Sequence, residues 1–163
     1  MTGAAVGTAP GTQPGTSGVF ERPFEEYEIG ERAGGRTKTI DQSDISQFAG
    51  LTMDFHPAHV DRQFAEERFG GRLAHGVLTF GVVVGLTVEY NLLAVAYGYD
   101  RLRFPTPVFA GDTITAHSEV VELADHKNPA IGLVTKKYTG TNQRGNVVLA
   151  CQHILAVQRR TSD

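Results

Sequence analysis

From residue 20 onward the chain alternates between short stretches of periodic apolar positions and clusters of Gly, Pro, Asp and Asn. Arg36-Thr37-Lys38-Thr39-Ile40 has the alternation and β-branched content of a strand. Behind Asp41, apolar residues recur at Ile45, Phe48 and Ala49, which is helical spacing. With Asp41 as N-cap and Gly50 just past the end, this predicts a short helix over 42–49. Residues 51–60 read as loop. Asp61 is then positioned to cap a second short helix over 62–68, which Gly70-Gly71 stops.

The longest periodic stretch opens at His75-Gly76 and runs from Val77 to about Ala96. Val77, Leu78, Phe80, Val82, Val83, Val84 and Leu86 put apolar groups on nearly every face of its first half. A helix apolar all round is one buried all round. The three valines and Gly81 and Gly85 also suit a strand, and the length of the stretch decides for a helix. Four strand-like runs follow, at 100–108, 113–123, 131–141 and 146–158, with turn signals between them at 110–112, 125–129 and 142–145. Because they are consecutive, hairpins and an antiparallel sheet are the economical topology. The expected class is α+β, an antiparallel sheet wrapped around one long buried helix, in a single domain over 20–160. Residues 1–19 carry hardly any large apolar side chain and read as a flexible Gly/Thr/Pro-rich tail.

Bulk composition narrows the function classes. The 163 residues suffice for one domain with a real core. The net charge of −3, without a Lys/Arg block, argues against nucleic acid as a partner. The most apolar region, Leu73 to Leu86, is shorter than the ~20 residues a membrane span needs. No basic start joined to an apolar stretch marks a signal peptide. Cys151 is the only cysteine, so there is neither a disulfide framework nor a cysteine metal cluster. Its strand-like neighbours predict a buried, inert thiol. A cytoplasmic location fits.

The densest polar cluster is Met53-Asp54-Phe55-His56-Pro57-Ala58-His59-Val60-Asp61. Two further motifs follow: Phe69-Gly70-Gly71-Arg72-Leu73-Ala74-His75-Gly76-Val77-Leu78 leading into the long helix, and Arg103-Phe104-x-x-Pro107-Val108-Phe109-x-Gly111-Asp112. In that order and spacing they resemble the MaoC-like dehydratases and (R)-specific enoyl-CoA hydratases, over about residues 24–158. The resemblance implies a hot-dog fold and a lyase that adds water reversibly to an enoyl thioester, carried on CoA or on a carrier protein. It implies Asp54 and His59 as the acid–base pair around one water, and the Gly76 N–H as donor to the enolate oxygen. No metal or organic cofactor is called for. Such an addition needs a base for the water proton, an acid for Cα and a fixed donor for the developing oxyanion.

Two departures bear on substrate fit. His56 stands where the family usually has Asn, and Thr79 is the available substitute for a serine that supports the catalytic Asp in related hydratases. His75 reads as a helix-entry residue bonding backbone, close to the substrate tunnel. Arg72 and Arg103 are the candidate contacts to the pantetheine phosphate.

Plainer readings compete at each position. Asp54 alone could be a turn residue, and His59 a structural histidine. His56, His59 and Asp61 could be metal ligands, but Pro57 is expected to break helical presentation and the spacing matches no metal motif. Asp61 reads better as an N-cap. The alternatives to hydration are a hot-dog thioesterase, with Glu89 as the only carboxylate on the long helix, and a non-catalytic acyl-thioester-binding subunit of a heteromeric complex. A lone hot-dog sheet leaves edges and a face uncovered, which predicts a homodimer or higher homo-oligomer with the tunnel along its interface.

Overall fold

A computed structural model describes residues 18–160; residues 1–17, most of the expected tail, lie outside that range. The architecture follows from the alternation along β4 (Ile131–Thr141). Gly132, Val134, Lys136, Tyr138 and Gly140 are all buried, on one face of the strand. That face belongs to a five-stranded, wholly antiparallel sheet in the order β1-β3-β4-β5-β2, with β1 at Arg32–Thr39, β2 at Ala94–Arg103, β3 at Thr113–Asp125 and β5 at Val147–Gln158.

Against it lies α4 (Gly76–Thr87), with Thr79, Val83 and Thr87 turned inward. The helix comes so close that a Cβ on Gly140 would stand 2.6 Å from Val83 Cγ2. Ile40, Ile45, Ile114, Val148 and Leu149 complete the main core around Val83. Three short helices bridge β1 and α4: α1 (Gln42–Thr52), α2 (Pro57–Val60) and α3 (Arg62–Phe69). A sheet wrapped around one helix is the hot-dog arrangement.

Several expectations are corrected. The long helix ends at Thr87 rather than near Ala96, and 94–103 is strand β2, beginning and ending earlier than the 100–108 run suggested. The sheet is not a simple meander. Only β3-β4-β5 are successive hairpins, while β2 pairs with β5 at the far edge, so residues 104–112 carry the chain back across to β3. Helix α1 runs past Gly50 to Thr52 and ends on Met53, whose φ of 64° is left-handed. Residues 57–60 form a helical turn, which Pro57 opens rather than breaks, because the first helical position has no acceptor for an N–H in any case. Nor is α4 buried all round: Val77 is 61% exposed, and Gly81, Gly85 and Val88 share its open side. One sheet layer covers only half of a helix.

Capping matches the sequence at α3. Asp61 Oδ1 accepts from the Phe64 N–H at 3.0 Å, and Gly70 closes the helix with φ 78°. At α1 the Asp44 carboxylate accepts from the Asp41 N–H at 2.8 Å. Among the described residues no helix is long and apolar enough to cross a membrane.

Candidate active site

The sequence between α1 and α4 is tied together by one short extended segment, 72–74. Leu73 N donates to the Ala58 carbonyl at 3.1 Å, Ala74 N donates to Val108 O at 2.8 Å, and Ala110 N donates to Arg72 O at 3.1 Å. This segment holds α2, and with it His59, against the start of α4.

His59 Nδ1 lies 2.9 Å from the Leu73 carbonyl. A carbonyl only accepts, so Nδ1 carries the proton and Nε2 presents a lone pair. Burial pushes the His59 pKa below the ordinary imidazole value, the Leu73 bond and the Asp54 charge opposing it only in part. His75, which is 2% exposed, donates Nε2–H to the Asp54 backbone carbonyl at 3.0 Å and stacks on His59 with ring centroids 3.8 Å apart. The expected backbone role of His75 is therefore observed, and the backbone it holds is that of Asp54. The Asp54 carboxylate is solvent-exposed, and its Oδ1 accepts from the His56 N–H at 3.3 Å.

Asp54, His59 and His75 each offer one atom to a common centre, all within 4.8 Å of one another. They are also the group that could hold a metal ion. Rings this nearly parallel send their in-plane lone pairs side by side rather than to one point, whereas histidine ligands bind in plane at about 2.0–2.1 Å. The trio suits a molecule that donates hydrogen bonds to two separate atoms, because the Asp54 carboxylate and His59 Nε2 both accept. His56 and Asp61, read above as possible ligands beside His59, are both engaged in caps: His56 Nδ1 accepts from Ala58 N at 3.2 Å, and Asp61 caps α3. His56 thus fills the N-cap of α2 with a ring nitrogen.

The remaining site candidates divide. Gly76 is the first residue of α4, where backbone N–H groups have no intrahelical acceptor. A Cβ there would stand 3.2 Å from the Phe104 ring, so the position is tight. Thr79 is buried and its hydroxyl donates to the His75 carbonyl at 3.3 Å, bracing His75 rather than Asp54. Arg72 is occupied within the chain: Nε donates to the His59 carbonyl, Nη2 to Ser46 Oγ at 2.8 Å and Nη1 to Gln42 O at 3.4 Å. It fastens α1 to α2. Arg103 is exposed at the end of β2 and, among the described residues, bonds only locally, to Leu102 O. Glu89 lies beyond the end of α4 and is ion-paired with buried Lys136, so the acidic helix residue on which the thioesterase reading rested is not on the helix.

Sequence reasoning missed Lys136 and His153, both buried and directly opposite one another on β4 and β5. The available signal was the alternation Val134-Lys136-Tyr138 and Leu149-Cys151-His153, which places a cation and an imidazole on the core side. Cys151 is buried as expected, and burial pushes its thiol up to about 11.

A family model described as "MaoC like domain" matches residues 25–142. The chain is 37% identical over 139 residues to an (R)-specific enoyl-CoA hydratase of Rhodospirillum rubrum, covering 84% of this chain and 92% of that protein. In structure it is similar to a monoamine oxidase regulatory protein of Archaeoglobus fulgidus (TM-score 0.81, 36% identity, 86% and 97% of the two chains). It is also similar to the unliganded R-hydratase PhaJ1 of Pseudomonas aeruginosa (TM-score 0.71, 29% identity, 85% and 86%).

Proposed function

The chain belongs to the MaoC-like domain family, and on that premise we propose that it hydrates enoyl thioesters, most simply enoyl-CoA to 3-hydroxyacyl-CoA, and catalyses the reverse. One observation carries the reading: an exposed Asp54 carboxylate oxygen and a ring nitrogen of His59 lie within 4.8 Å of each other, and the Leu73 bond to Nδ1 leaves His59 Nε2 unprotonated. A water there donates one O–H to each, which leaves its oxygen lone pair free to attack Cβ. As the O–Cβ bond forms, one water proton passes to the pair and the C=C electrons move onto the thioester oxygen. The Gly76 N–H, at the positive end of α4, stabilises that charge. The held proton is then delivered to Cα, and the pair returns to its starting state. The name of the Rhodospirillum rubrum relative supports the R product.

Supporting features are the fixed tautomer of His59, its lowered pKa, and a His75 buttress that holds both residues. Apolar surface left open around the pair, at Leu51, Met53, Phe55 and Val77, supports a homodimer whose interface closes over the thioester. Arg103 remains available for the pantetheine phosphate; Arg72 acts within the chain.

The test is loss of enoyl absorbance on adding crotonyl-CoA and longer enoyl-CoAs, with product chirality determined and free thiol measured in parallel. Thiol release without loss of the double bond would replace hydration by hydrolysis. No turnover of any enoyl-CoA would favour a non-catalytic binding subunit.

A further inference from the structure

A second polar cluster lies at the other end of α4, where Tyr27, Thr87, Glu89, Lys136, Tyr138 and His153 border a cavity of about 190 Å³. Three strands build it. Lys136 on β4 and Tyr99 on β2 are the cross-strand partners of His153 on β5, and Tyr99 stacks on His153 with centroids 4.2 Å apart. Lys136, 2% exposed, is ion-paired with Glu89 Oε1, and His153 Nδ1 is 2.8 Å from Tyr138 Oη. Two buried atoms of this cluster have no partner among the described residues: Glu89 Oε2 and His153 Nε2.

The inventory defines what fits. Glu89 Oε2 only accepts, and Lys136 has further N–H donors, so the cavity offers an acceptor and a donor whichever tautomer His153 adopts. Burial and the Lys136 charge push His153 down to about 4, so it is neutral at pH 7. The one cation is already balanced by Glu89. An incoming carboxylate would therefore meet a like charge without an unspent positive one, and an incoming methyl would leave both orphaned atoms unpaired. A hydroxyl accepts and donates at once.

The cavity also lies in line with the reaction. Val84 and Thr87, which border it, are eight and eleven residues beyond Gly76, about 12–16 Å along the helix axis. Phe80, one turn in from Gly76, packs edge-on against Tyr99 at 4.7 Å, and Tyr99 stacks on His153, so three rings in contact run from the second turn of α4 to the cavity. We propose that this cavity receives the distal end of the acyl chain and selects a chain bearing a neutral hydroxyl there. The assignment rests on the hydratase reading for the direction in which the chain enters.

Isothermal titration with saturated, unreactive acyl-CoAs tests it without requiring turnover. Three series from C6 to C12 would end in a methyl, a hydroxyl or a carboxylate. At the length that reaches the cavity, the hydroxyl ligand is expected to bind roughly tenfold to a hundredfold more tightly than either counterpart, and His153→Phe to erase most of that advantage. Equal affinity for methyl and hydroxyl ligands at every length would mean that the cavity holds only water and would overturn the proposal. So would tightest binding of the carboxylate. The wild-type comparison stands even if the variant does not fold. A preserved hydroxyl preference with no hydration of crotonyl-CoA would sink the hydratase reading and leave the cavity assigned.

Discussion

His59 and His75 stack at 3.8 Å and anchor to the backbone through opposite nitrogens: His59 by Nδ1 to Leu73, His75 by Nε2 to Asp54. The His59 imidazole is thereby held in one tautomer, and the peptide that carries Asp54 is fastened by the ring lying against it. Two residues five apart in sequence are held close together by a third, His75, at the N-cap of α4.

Asp54→Asn is expected to lower kcat/KM for crotonyl-CoA by roughly 10²–10⁴ with unchanged circular dichroism and melting temperature. The carboxylate is exposed and its one bond among the described residues is to the His56 N–H, so the fold does not depend on its charge. Wild-type turnover in this variant would remove Asp54 from the mechanism.

The pH profile should show His59. It acts as a base only when neutral, and burial stabilises the neutral form. The acid limb of kcat/KM is therefore expected to fall below the ordinary imidazole value of about 6.5, with the plateau held through that pH. A limb centred at or above 6.5 would contradict the buried, neutral base.

Arg72→Met keeps the aliphatic stem and removes three donors that fasten His59 and α1. The expected outcome is a fall of roughly ten- to a hundredfold in kcat with KM little changed, since small displacements of catalytic groups weigh on the chemical step. Arg72→Lys should recover part of the loss. A raised KM for CoA thioesters at constant kcat would instead make Arg72 a phosphate contact.

His153 couples stability to pH. Its pKa is about 4 folded and near 6.5 unfolded, so between those values the unfolded chain binds a proton that the native chain refuses. Stability is full above about 6.5 and is lost as pH falls toward 4, by up to about 3 kcal/mol. Urea midpoints across this window should slope in wild type and flatten in His153→Phe.

Association should involve the β2 edge. Val95 and Tyr97 are 65% and 58% exposed on a strand whose outer side has no neighbour among the described residues. Light scattering is expected to give twice the chain mass, and Val95→Lys to shift it toward monomer, because an edge charge opposes strand pairing. A monomeric wild type at micromolar concentration would refute this.

How much of this was legible in the sequence depended on range. Asp61 and Gly70 rest on local signals, and the structure places both as the caps of α3; the pairing of Asp54 with His59 came from the family resemblance. The end of α4 was obscured because Val82-Val83-Val84 and Leu86 are apolar without a break and no Gly or Pro follows Thr87. Strand β2 was hidden by two register shifts, at Ala96/Gly98 and Asp100/Arg103, which spoil its alternation. The hold of His75 on Asp54 spans 21 residues, and the Lys136–His153 pairing depends on the β4–β5 register. Neither is a property of any window of the chain.

The contact of Val83 with Gly140 has a wider consequence. With no side chain at 140 to act as a spacer, Val83 seats the helix directly against the sheet at this level. On the proposed hydratase reading, the distance from Gly76 to the cavity bordered by Val84 and Thr87 then acts as a gauge, and exchanges at Val84 or Thr87 would recalibrate which acyl tails fit while leaving Asp54 and His59 in place.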